Sequence, residues 1–307
     1  MTKYVIETKN LTKAYSEKVA LDALSIGIKE NEITAIVGAN GAGKSTLFKI
    51  LLGVLKPTEG EASILGVTPK DLTPLLRGKI GFVNEEHSLF EWLPIRSLKK
   101  MQMSLYPLWD EQIFQNVINH FDVDESQQVS KLSRGERAGV NLAMTLAQKP
   151  EVLLLDEPTL GLDVIAKKAF LEALMSIQQM TNNTIIYCSH AMDEIERVAE
   201  NVIIIERGKL QCTSTPEQLL ARLTCWIVDF GSSALPVERI PGLMKVKNVE
   251  GLHQIVLLDQ NLDVNETLYS LGASSVISMP VNLDLAISAF LGKNHAGTKL
   301  IDVNTSV

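Results

Sequence analysis

Gly38-Ala39-Asn40-Gly41-Ala42-Gly43-Lys44-Ser45-Thr46 decides how the rest of the chain is read. It follows the apolar run Ile33-Thr34-Ala35-Ile36-Val37, which reads as a buried strand, and opens onto Leu47-Phe48-Lys49-Ile50-Leu51-Leu52, which reads as a helix. This is G-x-x-x-x-G-K-[ST] in the strand–loop–helix setting that gives the motif its meaning. The glycines let the backbone wrap a phosphate with its N–H groups pointing inward, where a β-carbon would obstruct. The start of the helix adds unpaired N–H groups and a positive dipole end. Lys44 is placed to meet the β- and γ-phosphates, and the Ser45 hydroxyl to bind Mg²⁺. The stretch implies a nucleoside triphosphate; what is done with it has to be read elsewhere.

Working outward, 307 residues suffice for one large domain and a small one. Lys and Arg total 29 against 36 Asp and Glu, a net charge of −7, which argues against a nucleic-acid groove. Cys188, Cys212 and Cys225 have no metal-like spacing and read as ordinary buried thiols in a reducing compartment. The first residues lack a signal-peptide core, and no window reaches the ~18 apolar residues of a membrane span. A soluble, cytoplasmic protein is expected, with any membrane role arriving through a partner.

Upstream of the loop, Tyr4–Glu7 and Leu24–Lys29 read as strands, with Asn10-Leu11-Thr12-Lys13-Ala14-Tyr15 between them. Tyr15 either stacks on a purine face or is a half-buried tyrosine at a strand end. Downstream, Glu61–Leu65 and Ile80–Val83 read as strands, and Ile95 to Leu146 as mostly helical. Asp110 is a plausible N-cap of a helix whose Ile113, Phe114, Val117, Ile118 and Phe121 share a core-facing side. Ser133, with Glu136 three residues on, fits a capping box. Val152-Leu153-Leu154-Leu155-Asp156-Glu157 is a continuous apolar strand ending in two carboxylates, as a parallel strand buried on both faces would be. A helix from about Val164 to Met180, a strand Thr184–Ser189 ending at His190, a further helix and the strand Val202–Ile205 complete an alternation. It implies a mainly parallel α/β sheet with ligands at the carboxyl ends of its strands.

Those ends carry chemistry. Asp156 suits a Mg²⁺ ligand, and Glu157 is placed to polarise an attacking water, two acids with separate tasks. His190, ending the next strand, could sense or stabilise the γ-phosphate.

With these motifs in this order, residues 3 to about 220 resemble the ATP-binding subunits of ABC transporters. The resemblance implies ATP and Mg²⁺ as ligands and a P-loop ATPase fold with a helical subdomain at about residues 90–150. Tyr15 matches the adenine-stacking aromatic, Gly38 to Thr46 the Walker A loop, and Val152 to Glu157 the Walker B strand with its catalytic glutamate. Leu132-Ser133-Arg134-Gly135-Glu136 matches the signature motif, Gly161-Leu162-Asp163 the D-loop, and His190 the switch histidine. In that family two subunits stack head to tail, each ATP lying between one Walker A and the other subunit's signature. The resemblance therefore implies that Ser133 and the Gly135 N–H contact a partner's ATP, the partner being a second copy or a paralogous ATPase.

Two departures stand out. Arg134 replaces the usual glycine and Glu136 the usual glutamine of the signature; Arg134 either adds charge near the phosphate or pairs with Glu136 or another acid. Glu85 stands where the family's Q-loop glutamine belongs, and its carboxylate could still approach Mg²⁺.

With no membrane span of its own, a member of this family needs a transmembrane permease and would work at the cytoplasmic face of the cell membrane. The region from about Leu93 to Gln128 is where the permease would dock, with Phe90, Trp92 and Tyr106 as candidate contacts or as core. Past a helix at Pro216–Leu223, Trp226–Phe230, Met244–Val249 and His253–Leu258 read as antiparallel strands, and Asn265–Leu271 and Leu283–Leu291 as helices. The expected organisation is thus an ATP-binding domain over 1–222, a small α+β domain over 223–295 and a frayed tail over 296–307. The small domain resembles the extension of ABC-2-type exporter ATPases, and Tyr106-Pro107-Leu108-Trp109-Asp110 is similar to exporter-like ATPases of antibiotic or peptide resistance. Both favour export. A chromosome-maintenance ATPase would need long heptads and a ribosome-acting factor two cassettes; neither is present. A non-hydrolysing scaffold remains the rival if Arg134 and Glu85 spoil catalysis.

Overall fold

The computed structural model describes residues 4–231, 235–260 and 263–291; the expected tail over 296–307 lies outside them. In chain order the elements begin with strands β1 (Tyr4–Tyr15), β2 (Lys18–Lys29) and β3 (Ile33–Val37), helix α1 (Lys44–Leu51) and strand β4 (Glu59–Ile64). Next come α2 (Pro74–Arg77), β5 (Ile80–Asn84), α3 (Ile95–Leu105), α4 (Glu111–Ile118), α5 (Arg134–Ala147) and β6 (Val152–Asp156). They are followed by α6 (Val164–Thr181), β7 (Thr184–Cys188), α7 (Met192–Val198), β8 (Asn201–Glu206) and β9 (Lys209–Ser214). The remaining elements are α8 (Pro216–Ala221), β10 (Leu223–Asp229), β11 (Leu243–Val249), β12 (Leu252–Leu258), α9 (Val264–Ser270), β13 (Ser275–Met279) and α10 (Leu283–Phe290).

The apolar runs become the centre of a six-stranded sheet in the order β5-β6-β7-β3-β8-β9. β5 with β6, β6 with β7, and β7 with β3 pair in parallel, and every residue of β3 and β7 is buried. The register sets the carboxyl ends level: Asn84 lies opposite Asp156, Asp156 opposite Cys188, and Cys188 opposite Ile36. Whatever follows these four strands must therefore meet at one rim, the usual ligand site of an open α/β sheet.

A separate antiparallel sheet, β2-β1-β4, is larger than expected because β1 and β2 form one long hairpin. Asn10–Tyr15 is the second half of β1 rather than a connection. Positive φ at Asn10 and Ala23 and register shifts along the ladder mark irregularities that break the alternation a sequence reading relies on.

Over 90–150 the helices pack as the apolar stripes demand. Asp110 caps α4 by accepting from the N–H groups of Gln112 and Ile113 at 3.0 and 3.2 Å, and Ile113, Phe114, Val117 and Ile118 are buried against α5 and α6 residues. Phe121, only partly buried, packs on the same core.

The described residues fall into two compact units, those up to Asn201 with Ile205–Leu210, and Val202–Ile204 with those from Gln211 onward. The second contains a four-stranded antiparallel sheet, β11-β12-β10-β13, with the turn between β11 and β12 made at Glu250 and Gly251, both at positive φ. Its own core gathers Val228, Phe230, Ile255, Leu257, Val264 and Leu268. β9 and β13 have no counterpart in the sequence reading; both are short and half-exposed, so neither leaves an apolar signature. The three cysteines are free and buried. Among the described residues no helix is long and apolar enough to cross a membrane.

Candidate nucleotide site

The loop after β3 turns on two glycines that no other residue could replace cheaply. Gly41 sits at φ +80 and Gly43 at φ +108, and a Cβ on Gly43 would lie 2.4 Å from the Ala20 carbonyl oxygen. Gly43 is also the residue from which α1 starts, so the loop's N–H groups and the helix's first turn face the same space. Gly38 and Ala39 form the floor: Lys44 Nζ donates to the Gly38 carbonyl at 2.6 Å and reaches that of Ala39 at 3.5 Å. Lys44 is 7% exposed, and its ammonium lies 4.0 Å from Glu157 Oε1.

Above the loop is a cavity of 940 Å³. Asn40 to Thr46 line it, together with Tyr15, Glu85, Asp156, Glu157 and His190. Residues from five separate stretches thus meet at the rim that the strand register defines. Tyr15 is 48% exposed, with Lys13 Nζ over its ring at 5.5 Å from the centroid. Asn84, Leu160 and Lys18 also line the cavity, and Lys18 Nζ is 3.3 Å from where a Gly41 Cβ would stand. Lys18 carries no signal of its own in the sequence, because its approach depends on the β1–β2 hairpin.

Glu157 and His190 are held together. His190 Nδ1 lies 2.8 Å from Glu157 Oε2, and the His190 N–H donates to the same oxygen at 3.3 Å. Glu157 sits at φ +51, a left-handed conformation costing a non-glycine residue roughly 1–2 kcal/mol. Its N–H donates to the Cys188 carbonyl at 2.9 Å, which turns the chain off β6 and towards the cavity. Such backbone strain persists only where the surroundings over-determine it.

For Mg²⁺ the donor set fits. Ser45, Asp156 and Glu85 put only hard oxygen donors on the cavity wall, the kind Mg²⁺ takes alongside waters and substrate phosphates.

The signature residues and Asp163 do not line this cavity. Ser133 caps α5: its Oγ accepts from the Glu136 N–H at 3.2 Å, and Glu136 Oε2 accepts from the Ser133 N–H at 2.7 Å. The capping box is therefore real, and it engages the Glu136 carboxylate. Arg134 instead reaches the Glu85 backbone carbonyl at 3.4 Å, and its guanidinium lies 2.8 Å from where a Gly161 Cβ would be. Gly135 allows α5 to meet α6, since a Cβ there would stand 2.6 Å from Ala166 Cβ. Asp163 caps α6, accepting from the Ile165 and Ala166 N–H groups, both at 2.9 Å. A second cavity, of 600 Å³, lies between these elements and the segment after β5, lined by Glu85, Glu86, His87, Leu132, Arg134 and Arg137.

Two further buried groups escape a reading of the sequence. Burial pushes the His87 imidazole down to about 4, so the ring is neutral. Glu194 is also buried; desolvation alone would raise its pKa, but hydrogen bonds from Lys167, Tyr187, Thr159 and Ser189 outweigh that and the net shift is downward.

A glycine-rich phosphate cradle before a helix, with acids on the neighbouring strand ends, defines a P-loop nucleotide-hydrolysing fold. The family model described as ABC transporter matches residues 21–160. The energy-coupling factor transporter ATP-binding protein EcfA2 of Ligilactobacillus salivarius is 36% identical over 233 residues, 70% of this chain and 81% of its own. Among solved structures, the dimeric MJ0796 cassette is 26% identical with TM-score 0.61, covering 68% of this chain and 98% of its own. CbiO1 of Clostridium perfringens, part of a cbiONQ complex, is 29% identical with TM-score 0.60 over 71% of this chain and 91% of its own. The chain belongs to the ATP-binding subunits of ABC transporters, and it is an ATPase. Relatives are named for both directions of transport, from zinc import in Rickettsia bellii to Nod factor export in Neorhizobium galegae.

Proposed function

We propose that this chain is the ATP-hydrolysing subunit of a membrane exporter, closing head to tail with a second ATPase subunit and driving a separate permease. The observation that carries the hydrolytic reading is the meeting of Lys44, Ser45, Asp156, Glu157 and His190 on one cavity, with Glu157 and His190 2.8 Å apart. Loop N–H groups and the α1 N-terminus receive the phosphates, Lys44 neutralises their charge, and Tyr15 stacks on the base. Ser45 and Asp156, with Glu85 near, would hold Mg²⁺, which would supply charge neutralisation at the phosphates. Glu157 accepts a hydrogen bond from the attacking water and draws it into line, while His190 keeps that carboxylate aimed.

Ser133, Arg134, Gly135, Glu136 and Asp163 lie away from this cavity, which suits residues that serve a partner's nucleotide. The dimeric MJ0796 relative supports that arrangement. Phe90 and Trp92 are exposed with ring centroids 6.2 Å apart and suit the permease contact. The antiparallel sheet with α9 and α10 after residue 222 supports export through its likeness to ABC-2 extensions.

Steady-state hydrolysis tests the core of this reading: Glu157→Gln should lower kcat about 100-fold or more. Equal, near-background rates in both proteins would favour the scaffold reading. With ATP and Mg²⁺, Glu157→Gln should run as a dimer by size-exclusion light scattering; a monomer at all protein concentrations would overturn the head-to-tail arrangement. A multi-span permease co-purifying from membranes would settle the partner, and ATP-driven uptake into inside-out vesicles the direction.

A further inference from the structure

The turn Glu157-Pro158-Thr159 is gripped from two sides by side chains that no motif singles out. On one side is His87, in the segment after β5. It is 1% exposed, and its Nε2 lies 2.8 Å from the Pro158 carbonyl oxygen. Asn141 of α5 stands 3.4 Å from Nδ1. In a neutral ring whose Nδ1 accepts from the Asn141 amide, Nε2 carries the proton and donates to Pro158. On the other side is Glu194 of α7, also 1% exposed. Its two oxygens accept from the Thr159 hydroxyl at 2.7 and 2.8 Å, from Tyr187 at 2.6 Å and from Ser189 at 3.0 Å, and Lys167 pairs with it at 2.8 Å.

The chain positions give this arrangement its meaning. Thr159 is two residues after Glu157, and Ser189 is one before His190. One buried carboxylate therefore ties together the two turns that present Glu157 and His190, and the Ser189 Oγ also accepts from the Ala191 N–H at 3.1 Å to finish the second turn. Pro158 has no N–H to donate, so its carbonyl is the one backbone polar group it offers, and His87 takes it. The left-handed Glu157 backbone then has a cause: its neighbour on the chain is anchored to the segment after β5, and the residue beyond to α7.

We propose that His87 and Glu194 are positioning residues for hydrolysis, His87 fixing Pro158 and Glu194 locking Thr159 to Ser189, so that Glu157 and His190 stay in register on the nucleotide. The proposal rests on Glu157 orienting the attacking water. It also makes the segment after β5 a direct mechanical contact of the catalytic turn, through a single hydrogen bond.

The test uses the full chain, steady-state ATPase over a range of ATP with saturating Mg²⁺, and thermal unfolding alongside. His87→Phe removes the donor while keeping a flat ring, and Thr159→Val removes the hydroxyl while keeping the shape. Each should lower kcat about 10- to 100-fold, the effect of a small misplacement of a reacting group, with KM for ATP within about threefold. His87→Gln and Thr159→Ser, which keep a donor, should recover most of the rate. Because the effect passes through Glu157, adding His87→Phe to Glu157→Gln should slow the enzyme no more than about twofold further. Unchanged kcat in both His87→Phe and Thr159→Val overturns the proposal, as does a loss that multiplies fully in the double variant or that only tracks the folded fraction. Should His87→Phe fail to fold, Thr159→Val and its rescue by Thr159→Ser decide between the same two outcomes. A Glu157→Gln protein hydrolysing at the wild-type rate would overturn the hydrolytic reading itself; a slow Glu157→Gln with normal His87→Phe and Thr159→Val would overturn this proposal alone.

Discussion

Glu194→Gln removes a charge from a site where the carboxylate answers four donors, Thr159, Lys167, Tyr187 and Ser189. The amide retains one acceptor oxygen, so about half of those donors must face a nitrogen that itself donates. Each charge-assisted hydrogen bond contributes about 1.5–3 kcal/mol net. Against that stands the desolvation no longer paid to bury an ion, which is large for a buried pair. Lys167 is 28% exposed and can turn to water, so its bond is the least costly to lose. The net destabilisation expected is about 3 kcal/mol, or about 6–12 °C in Tm at the usual 2–4 °C per kcal/mol for a unit of 150–250 residues. Urea unfolding followed by tryptophan fluorescence would measure it. The sign of its pH dependence follows from the lowered pKa. Below about 4.5 the unfolded chain takes up the proton first, so the wild type gains stability from this group above 4.5 and loses it as pH falls through the lower folded value. Glutamine does not titrate, and the gap between the two proteins should narrow on acidification. A loss under about 1 kcal/mol, or a gap that stays constant from pH 7 to about pH 4, would refute the reasoning.

Three further outcomes are expected. Gly43→Ala should abolish tight ATP binding in a fluorescent-nucleotide titration and lower Tm, because the new Cβ would stand 2.4 Å from a backbone oxygen at φ +108. Tyr15→Leu should raise KM for ATP with kcat nearly unchanged, by about 5- to 30-fold if stacking contributes about 1–2 kcal/mol. Trp92→Ser, at a position 72% exposed, should leave the isolated chain's ATPase rate alone while reducing the fraction that floats with permease-containing membranes.

The elements legible in the sequence are those whose cause is local. Ile33–Val37, Val152–Asp156 and Thr184–Cys188 announce buried parallel strands because both of their faces must be apolar. Asp110 and Ser133 announce helix starts because a cap is a contact between residues two or three apart. The phosphate loop is legible for the same reason: its glycines, lysine and serine act within one turn of chain. Long β1, with its irregular ladder, and the half-exposed β13 are not, since their stability lies in partners rather than in their own alternation.

The site divides in the same way. Gly38 to Thr46, Asp156, Glu157 and His190 can be assigned singly from residue type and place at a strand end. Arg134 cannot: whether it meets an acid or a backbone depends on Glu136 being taken by its own capping box and on the approach of Glu85 and Gly161. His87 and Glu194 carry no signal at all. Their partners lie 71 and 35 residues away, at Pro158 and Thr159, and only parallel register and helix packing bring them into reach. Sequence alone determined that this chain cradles a triphosphate and which acids face it, because those choices are written within a few bonds of each residue. Tertiary structure decided what holds the Glu157 turn in its strained conformation, because a hydrogen bond between distant segments exists only once the sheet has aligned them.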